Sequence, residues 1–446
     1  MMLPLCITFL LGADGVKPVS FFRGVRPILQ SHCAGCHQPA KAGGKVVLTG
    51  YDEISAHRSL IVPGKPAESE LVTVLLEDGD RPAKMPKNGA PLAANEIAVI
   101  QSWIAEGAVD DTPAAARTQF SMEQPPTYAQ PPVVTSVDFS PDGSLLAVSG
   151  YHEVLLFDHH DGGAALAAHL VGLSERIQAV RFSPDGATLL AVGGSPARLG
   201  EVQLWRVAER KLHLSVPVGF DTLYGAAWSD DGKRIAFGSD HIVRALDADT
   251  GEQVLYQGAH EDLVLDTVFS HDGKYLVSVS RDRSMKLIEV ATQQFIDNIT
   301  SITPGALKGG LMAVARQPGS DLLLCGGADG TPRTYQMHRT KERKIGDDYN
   351  LVKAYAALDG RIFAIDWSPD GKRFAIGASL PGGRGEIRLY ALDQDTPLWR
   401  LSTSGAIYAL SFHPSGQVIA AGGFAGDVLL LSESGAILNH ATMIGS

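Results

Sequence analysis

The chain has 446 residues, 45% of them hydrophobic and 20% charged, the balance of a folded chain of two or three domains rather than a disordered one. Thirty-eight Lys and Arg against 49 Asp and Glu leave a formal charge of −11, so a nucleic-acid partner, whose phosphates need neutralising, is not expected. The 48 glycines and 25 prolines are spread along the chain, as many short strands separated by turns require.

The first residues read MMLPLCITFLLGA, an uncharged apolar stretch with the character of the h-region of a secretory signal. Residues 1–13 are therefore expected to be a signal peptide, with a buried strand as the competing reading. Cys6 follows Leu5 rather than a small residue, which argues against lipoprotein processing there. No run approaches the roughly 20 apolar residues of a membrane-spanning helix, so no transmembrane segment is expected. Removing the signal leaves Cys33, Cys36 and Cys325, too few for a disulfide framework.

Residues 16–108 hold the sharpest chemical signal, Cys33-Ala34-Gly35-Cys36-His37. Two thiols three residues apart can add to the two vinyl groups of one haem, and the following imidazole can ligate its iron. A redox dithiol would not require His37, and half of a zinc site would need two more ligands that the nearby sequence does not supply. The surroundings are helical in pattern. SFFRGVRPILQSH places Phe22, Val25, Ile28 and Leu29 on one face, with Pro27 near the first turn or kinking it; PLAANEIAVIQSWIAEGA spaces Ile97, Ile100, Trp103 and Ile104 for a helix stopped at Gly107. Trp103 reads as core, near a porphyrin or against the first helix. A second axial ligand is offered by Met85, in the turn-forming RPAKMPKNGAP, with His32 and His57 as competitors. A thioether there would raise the reduction potential relative to a second histidine.

The order VRPILQSHCAGCH, IVPGKPAESELV, KMP and LAANEIAVIQSWIAEGA, over residues 20–108, resembles the planctomycete-type cytochrome c domain. The resemblance implies one covalently bound haem c, attached through Cys33 and Cys36, with His37 as proximal and Met85 as distal iron ligand. This chain departs from the pattern where the last helix usually starts with Thr or Ser: Ala93 or Ala94 would be the cap. Haem c is attached after export, so the motif and the apolar N-terminus agree on a periplasmic or cell-envelope location.

Residues 109–132, with Pro113, Pro125, Pro126, Pro131 and Pro132, read as a linker. From 133 to 446 seven stretches share one grammar, an apolar strand, a Ser-Pro-Asp-Gly-like turn, and a second strand of small apolar residues, as in VTSVDFSPDGSLLAVSG and FAIDWSPDGKRFAIGAS. The turn glycines 143, 186, 232, 273, 319, 371 and 416 give intervals of 43, 46, 41, 46, 52 and 45 residues, the period of a four-stranded propeller blade. These units resemble WD-repeat blades, including the S-R-D-x-x-x-K-L arrangement of Ser280 to Leu287, although the Trp-Asp pair survives only as Phe157-Asp158. The expected fold is multidomain, a small all-α cytochrome c domain followed by an all-β propeller of seven blades, with six or eight as alternatives. Ring closure would use Ala436 to Ala441 or a strand from the linker.

A haem with both axial positions filled favours outer-sphere electron transfer. Residues 14–110 carry 10 Lys and Arg against 11 Asp and Glu, so the excess negative charge lies in the rest of the chain. The expectation is a monohaem c-type cytochrome, an electron carrier ahead of a stand-alone enzyme, whose acidic propeller docks a basic redox protein. The alternative makes the propeller a catalytic oxidoreductase domain exchanging electrons with the haem. HRTKERKIGDDYN, with Arg339, Lys341, Arg343 and Lys344, reads as a solvated loop before a contact loop; Cys325 and the His159-His160 pair read as structural or surface residues.

Overall fold

The computed structural model describes residues 18–442 except 78, 80, 88, 89, 118, 119, 161, 162, 302, 304, 343 and 345. The expected signal peptide, Cys6 and Arg343 lie outside the described residues. The chain forms two compact units, one running to Cys33 and resuming over Leu48–Thr118, the other made of Ala34–Val47 together with Gln119–Ser446. Residues 34–47, expected from sequence to belong with 16–108, thus count with the β-rich unit.

The first unit is only partly helical, which corrects the all-α expectation. Its α-helices are Arg26–His32, Tyr51–Ser55, Glu70–Thr73 and Ala94–Ala105, joined by loops rich in Pro and Gly that cannot continue a helix. A π-turn, Phe21–Val25, precedes Arg26–His32, closed by the Arg26 N–H donating to Phe21 O. The wider turn puts Phe21, Val25 and Leu29, four residues apart, into the core, so Phe21 takes the place expected for Phe22. Trp103 stacks 5.2 Å from Phe21 and 6.3 Å from Tyr51, ring to ring, and its Nε1 donates to Val109 O. The helix Ala94–Ala105 ends in a Schellman motif. Ala108 N–H donates to Trp103 O, Gly107 N–H donates to Ile104 O, and Gly107 has φ +102°. At its start Ala93 supplies no side-chain cap, but Glu96 Oε2 accepts the Ala93 N–H at 3.0 Å.

In the second unit, five antiparallel sheets have four strands each in chain order, and a sixth has seven. The seven-stranded sheet arises because one long strand, Gly163–Phe182, pairs with Tyr151–His160 through its first half and with Thr188–Ser195 through its second. The first strands of successive repeats neighbour one another in a cycle: Val137–Phe139, Gly163–Phe182, Leu223–Trp228, Val264–Phe269, Leu311–Arg316, Arg361–Trp367, Ile407–Phe412, and back to the first. The cycle closes without a linker strand, since Ile437–Thr442 pairs with Asp427–Ser432 as the last strand of the last sheet. Phe139 N–H donates to Ser411 Oγ, and Val134 N–H to Gly423 O, across that seam.

All seven turn glycines have φ between +65° and +77°, the left-handed backbone that favours glycine. In five of the turns Ser140, Ser183, Ser229, Ser270 and Ser368 donate from Oγ to the aspartate two residues on, at 2.5–2.7 Å. Between neighbouring sheets, side chains on the first strands capture backbone donors of the next repeat. Asp138 accepts the Phe182 N–H, Asp266 the Val314 N–H and Asp366 the Phe412 N–H. Within the fourth repeat, His260 sits between Asp282 (2.9 Å) and Ser278 (2.8 Å), and Ser284 donates to Asp282.

Candidate haem-attachment site

Cys33 caps the helix Arg26–His32, its N–H donating to Leu29 O at 2.9 Å, and its side chain is half-buried. Ala34 and Gly35 are buried, Cys36 is exposed, and His37 opens a two-stranded hairpin in which His37 pairs with Ala42 and Gln38 with Lys41. Gln38 is fully buried and donates through Nε2 to Ala34 O, tying the strand back to the segment between the thiols. Gly43 N–H donates to Cys36 O at 2.8 Å, closing the loop over Cys36.

His37 Nδ1 lies 3.2 Å from Val46 O. A carbonyl only accepts, so this bond selects the tautomer with hydrogen on Nδ1 and leaves the Nε2 lone pair for a metal. Gly43 lies against the loop, where a Cβ would stand a tight 3.0 Å from Cys36 O and in ordinary contact, 3.5 Å, with His37 Cε1. Cys33, Cys36 and Cys325 are thiols rather than disulfide halves. Among the described residues no three His, Cys, Asp or Glu side chains gather into a cluster that could hold a metal ion. Two thiols, one half-buried and one exposed, followed by an oriented imidazole are the groups that covalent haem uses, and these residues fit it.

Met85 lies in the first unit, half-buried on a loop between exposed Lys84 and Lys87, with its N–H donating to Val74 O. The competing ligands are placed otherwise. His32 Nε2 is held by Glu96 Oε1 at 3.0 Å, and His57 is exposed.

In the second unit, burial pushes the Cys325 thiol up to about 12, which makes it a core residue rather than a nucleophile. His159 is buried beside Phe139 and His413, with ring centroids 5.1 and 5.2 Å away, and is structural. Arg339 of the basic insertion bridges Asp347 of the same loop at 2.7 Å and Asp297 of the strand Gln294–Asn298 at 3.5 Å and lies over the Tyr349 ring, so its charge is used within the unit. Sequence reasoning did not single out Gly35, Lys41 or Val46. None carries a motif of its own, and their roles come from chain brought to them by the fold.

The fold and the hairpin together define the class: a WD-repeat β-unit in a chain that also carries a Cys-x-x-Cys-His segment. The planctomycete cytochrome C family matches residues 33–89, and the WD domain, G-beta repeat, matches residues 126–158, 251–289 and 395–430. The chain thus joins a planctomycete cytochrome C segment to WD repeats, a combination that suggests a redox or protein-interaction role. Similar curated proteins include eukaryotic translation initiation factor 3 subunit I of Kluyveromyces lactis, 27% identical over 51% of this chain and 69% of that protein. The same subunit of Coccidioides immitis is 28% identical over 58% of this chain and 79% of that protein. A chain in the crystal structure of the mitotic checkpoint complex superposes with a TM-score of 0.55 at 15% identity, covering 71% of this chain and 99% of its own, a likeness of fold alone. No described helix is long and apolar enough to cross a membrane.

Proposed function

We propose that the protein is an exported monohaem c-type cytochrome that transfers electrons in the periplasm or cell envelope, with a seven-bladed propeller that docks a redox protein. Cys33 and Cys36 hold the porphyrin, His37 is the proximal ligand and Met85 the distal one. The observation that carries this reading is the His37 Nδ1 bond to Val46 O inside a Cys-x-x-Cys-His segment, which orients the ring and leaves Nε2 to bind. A bound haem supplies a one-electron iron couple. Cys33 and Cys36 would attach it, and His37, its tautomer fixed by the bond to Val46 O, and Met85 would ligate the iron. Cys325 is too buried and too weakly acidic to join that chemistry. The excess of acidic residues outside 14–110 supports a basic docking partner whose association weakens with salt. The seven neighbouring first strands support the blade count.

Purified from a host competent in cytochrome maturation, the protein is expected to show a c-type α-band that survives acid-acetone extraction. The peptide containing Cys33 and Cys36 is expected to carry the mass of one haem. A mature polypeptide without that adduct overturns the proposal. Met85→Ala is expected to abolish the sulfur-to-iron charge-transfer band of the oxidised protein while leaving the adduct in place; persistence of the band removes Met85 from the ligand set.

A further inference from the structure

We propose that the open edge of the strand Lys211–Pro217 is the seat of the haem-attachment hairpin, and that Gly35 and Lys41 are positioning residues that hold His37 through it. The role assigned to His37 rests on the haem reading above; the seat itself does not.

Lys211–Pro217 is the last strand of the seven-stranded sheet and pairs on one side only, with Leu199–Arg206. An unpaired edge presents backbone groups from alternate residues and must be covered or blunted. Residues 34–47, in the same compact unit, meet that edge at three alternate positions. Lys41 Nζ donates to His213 O at 2.7 Å. A Cβ built on Gly35 would lie 2.6 Å from Ser215 O, closer than side chains tolerate against backbone, and a tight 3.2 Å from Pro217 Cδ, so the close approach of the Cys-x-x-Cys backbone to the strand depends on residue 35 being glycine. Pro217 has no N–H to leave unpaired there. Between these points Ala40 packs against the core cluster that contains Leu212 and Trp205.

The seat reaches the imidazole through the hairpin register. Lys41 faces Gln38, Ala42 faces His37, and Gly43 lies against the His37 ring. Anchoring Lys41 therefore fixes the strand that carries His37, and a β-sheet more than 170 residues away in sequence, as the separation of Lys41 and His213 measures, becomes part of the proximal side. A change at the seat is expected to be felt as a change in ligand orientation, and hence in reduction potential.

The test uses the full chain in two forms, matured with haem and as the Cys33→Ser/Cys36→Ser variant that cannot attach it. Amide hydrogen exchange is followed by mass spectrometry in residues 34–47 and 211–217. Lys41→Ala, which loses one charge-assisted hydrogen bond, and Gly35→Ala, whose Cβ is driven against Ser215 O, are each expected to raise exchange in both segments about tenfold, while Lys41→Arg, which keeps a donor, stays close to the parent. In the matured protein the same two Ala variants are expected to shift the midpoint potential and Lys41→Arg to restore it. Exchange unchanged in both segments for both Ala variants overturns the seat. An unchanged potential with raised exchange overturns the positioning role. The exchange arm reads out in the form that cannot carry haem, so failure of the haem reading and failure of the seat give different results.

Discussion

Asp138→Asn tests the electrostatics of the ring of first strands. Burial pushes Asp138 up to about 7, with Arg181 and the Phe182 N–H holding it down and Asp366 adding to the rise. Asp266 and Asp366 are raised by burial to about 6, and Arg181 is the cation that opposes both shifts. Arg181 and Asp266 line a cavity of about 90 Å³ among the first strands. In the unfolded chain Asp138 titrates near 3.9. Its folded value is higher, so the protein binds the proton more tightly when folded. Stability from this group is therefore present below about 4 and is lost as the pH rises through about 7. The gap sets a ceiling of about 4 kcal/mol; Asp138 is half-buried rather than fully enclosed, and solvent screening reduces the expected effect to about 1–2 kcal/mol. Asparagine keeps an acceptor for the Phe182 N–H, 2.7 Å from Asp138 Oδ2, and Arg181 keeps Asp266 and Asp366 as counter-charges. Urea unfolding followed by tryptophan fluorescence at pH 5 and pH 8 measures the difference. The variant should be close to the parent at pH 5 and more stable than it at pH 8. A difference that does not change with pH, or a variant less stable at pH 8 than at pH 5 relative to the parent, refutes the assignment.

Trp103→Ala removes one of the largest fully buried side chains, together with its contacts to Phe21 and Tyr51, and is expected to cost the first unit about 3–5 kcal/mol. Protection of the helix Ala94–Ala105 from proteolysis on heating is the measurement. Asp282→Ala leaves the buried His260 Nδ1, the Glu261 N–H and the Ser284 hydroxyl without their acceptor and is expected to cost about 2–3 kcal/mol near neutral pH in urea unfolding. Against the penalty of burial, those bonds hold Asp282 well below the usual carboxylate range, so its contribution is present above about 4 and lost as the pH falls; the deficit of the variant should shrink in acid.

Much of the β-unit was legible because its signals are local and repeated. A Ser-Pro-Asp-Gly turn needs a left-handed residue at its last position, and each of the seven glycines supplies it. The first unit was less legible because its helices are short and its periodicity was judged against 3.6 residues per turn. The π-turn at Phe21–Val25 shifts the buried face by one residue, and no propensity scale marks such a turn in FFRGV. Bulges are a second omission. Six of the seven first strands shift register by at least one residue, as between Ile177 and Ala179 or Ile362 and Ala364. The shift lets successive inward side chains change face within a strand, and Asp266 and Asp366, which both reach the next repeat, each follow such a shift, so strict alternation does not mark them.

At the candidate site the division falls between chemistry and support. Cys33, Cys36 and His37 are legible as candidates, because thiols and an imidazole at that spacing have few other uses. The groups that decide whether the imidazole is usable do not. Val46 contributes only a carbonyl, Gly43 and Gly35 only the absence of a side chain, and Lys41 a charge indistinguishable in sequence from any surface lysine. Each matters through a partner: His37 for Val46 and Gly43, His213 O for Lys41, Ser215 O for Gly35. The last two partners lie on a strand of the WD-repeat unit, so the attachment loop cannot be understood from residues 16–108 alone. A truncated cytochrome segment ending near residue 108 would keep every motif residue and lose the edge that Lys41 and Gly35 meet.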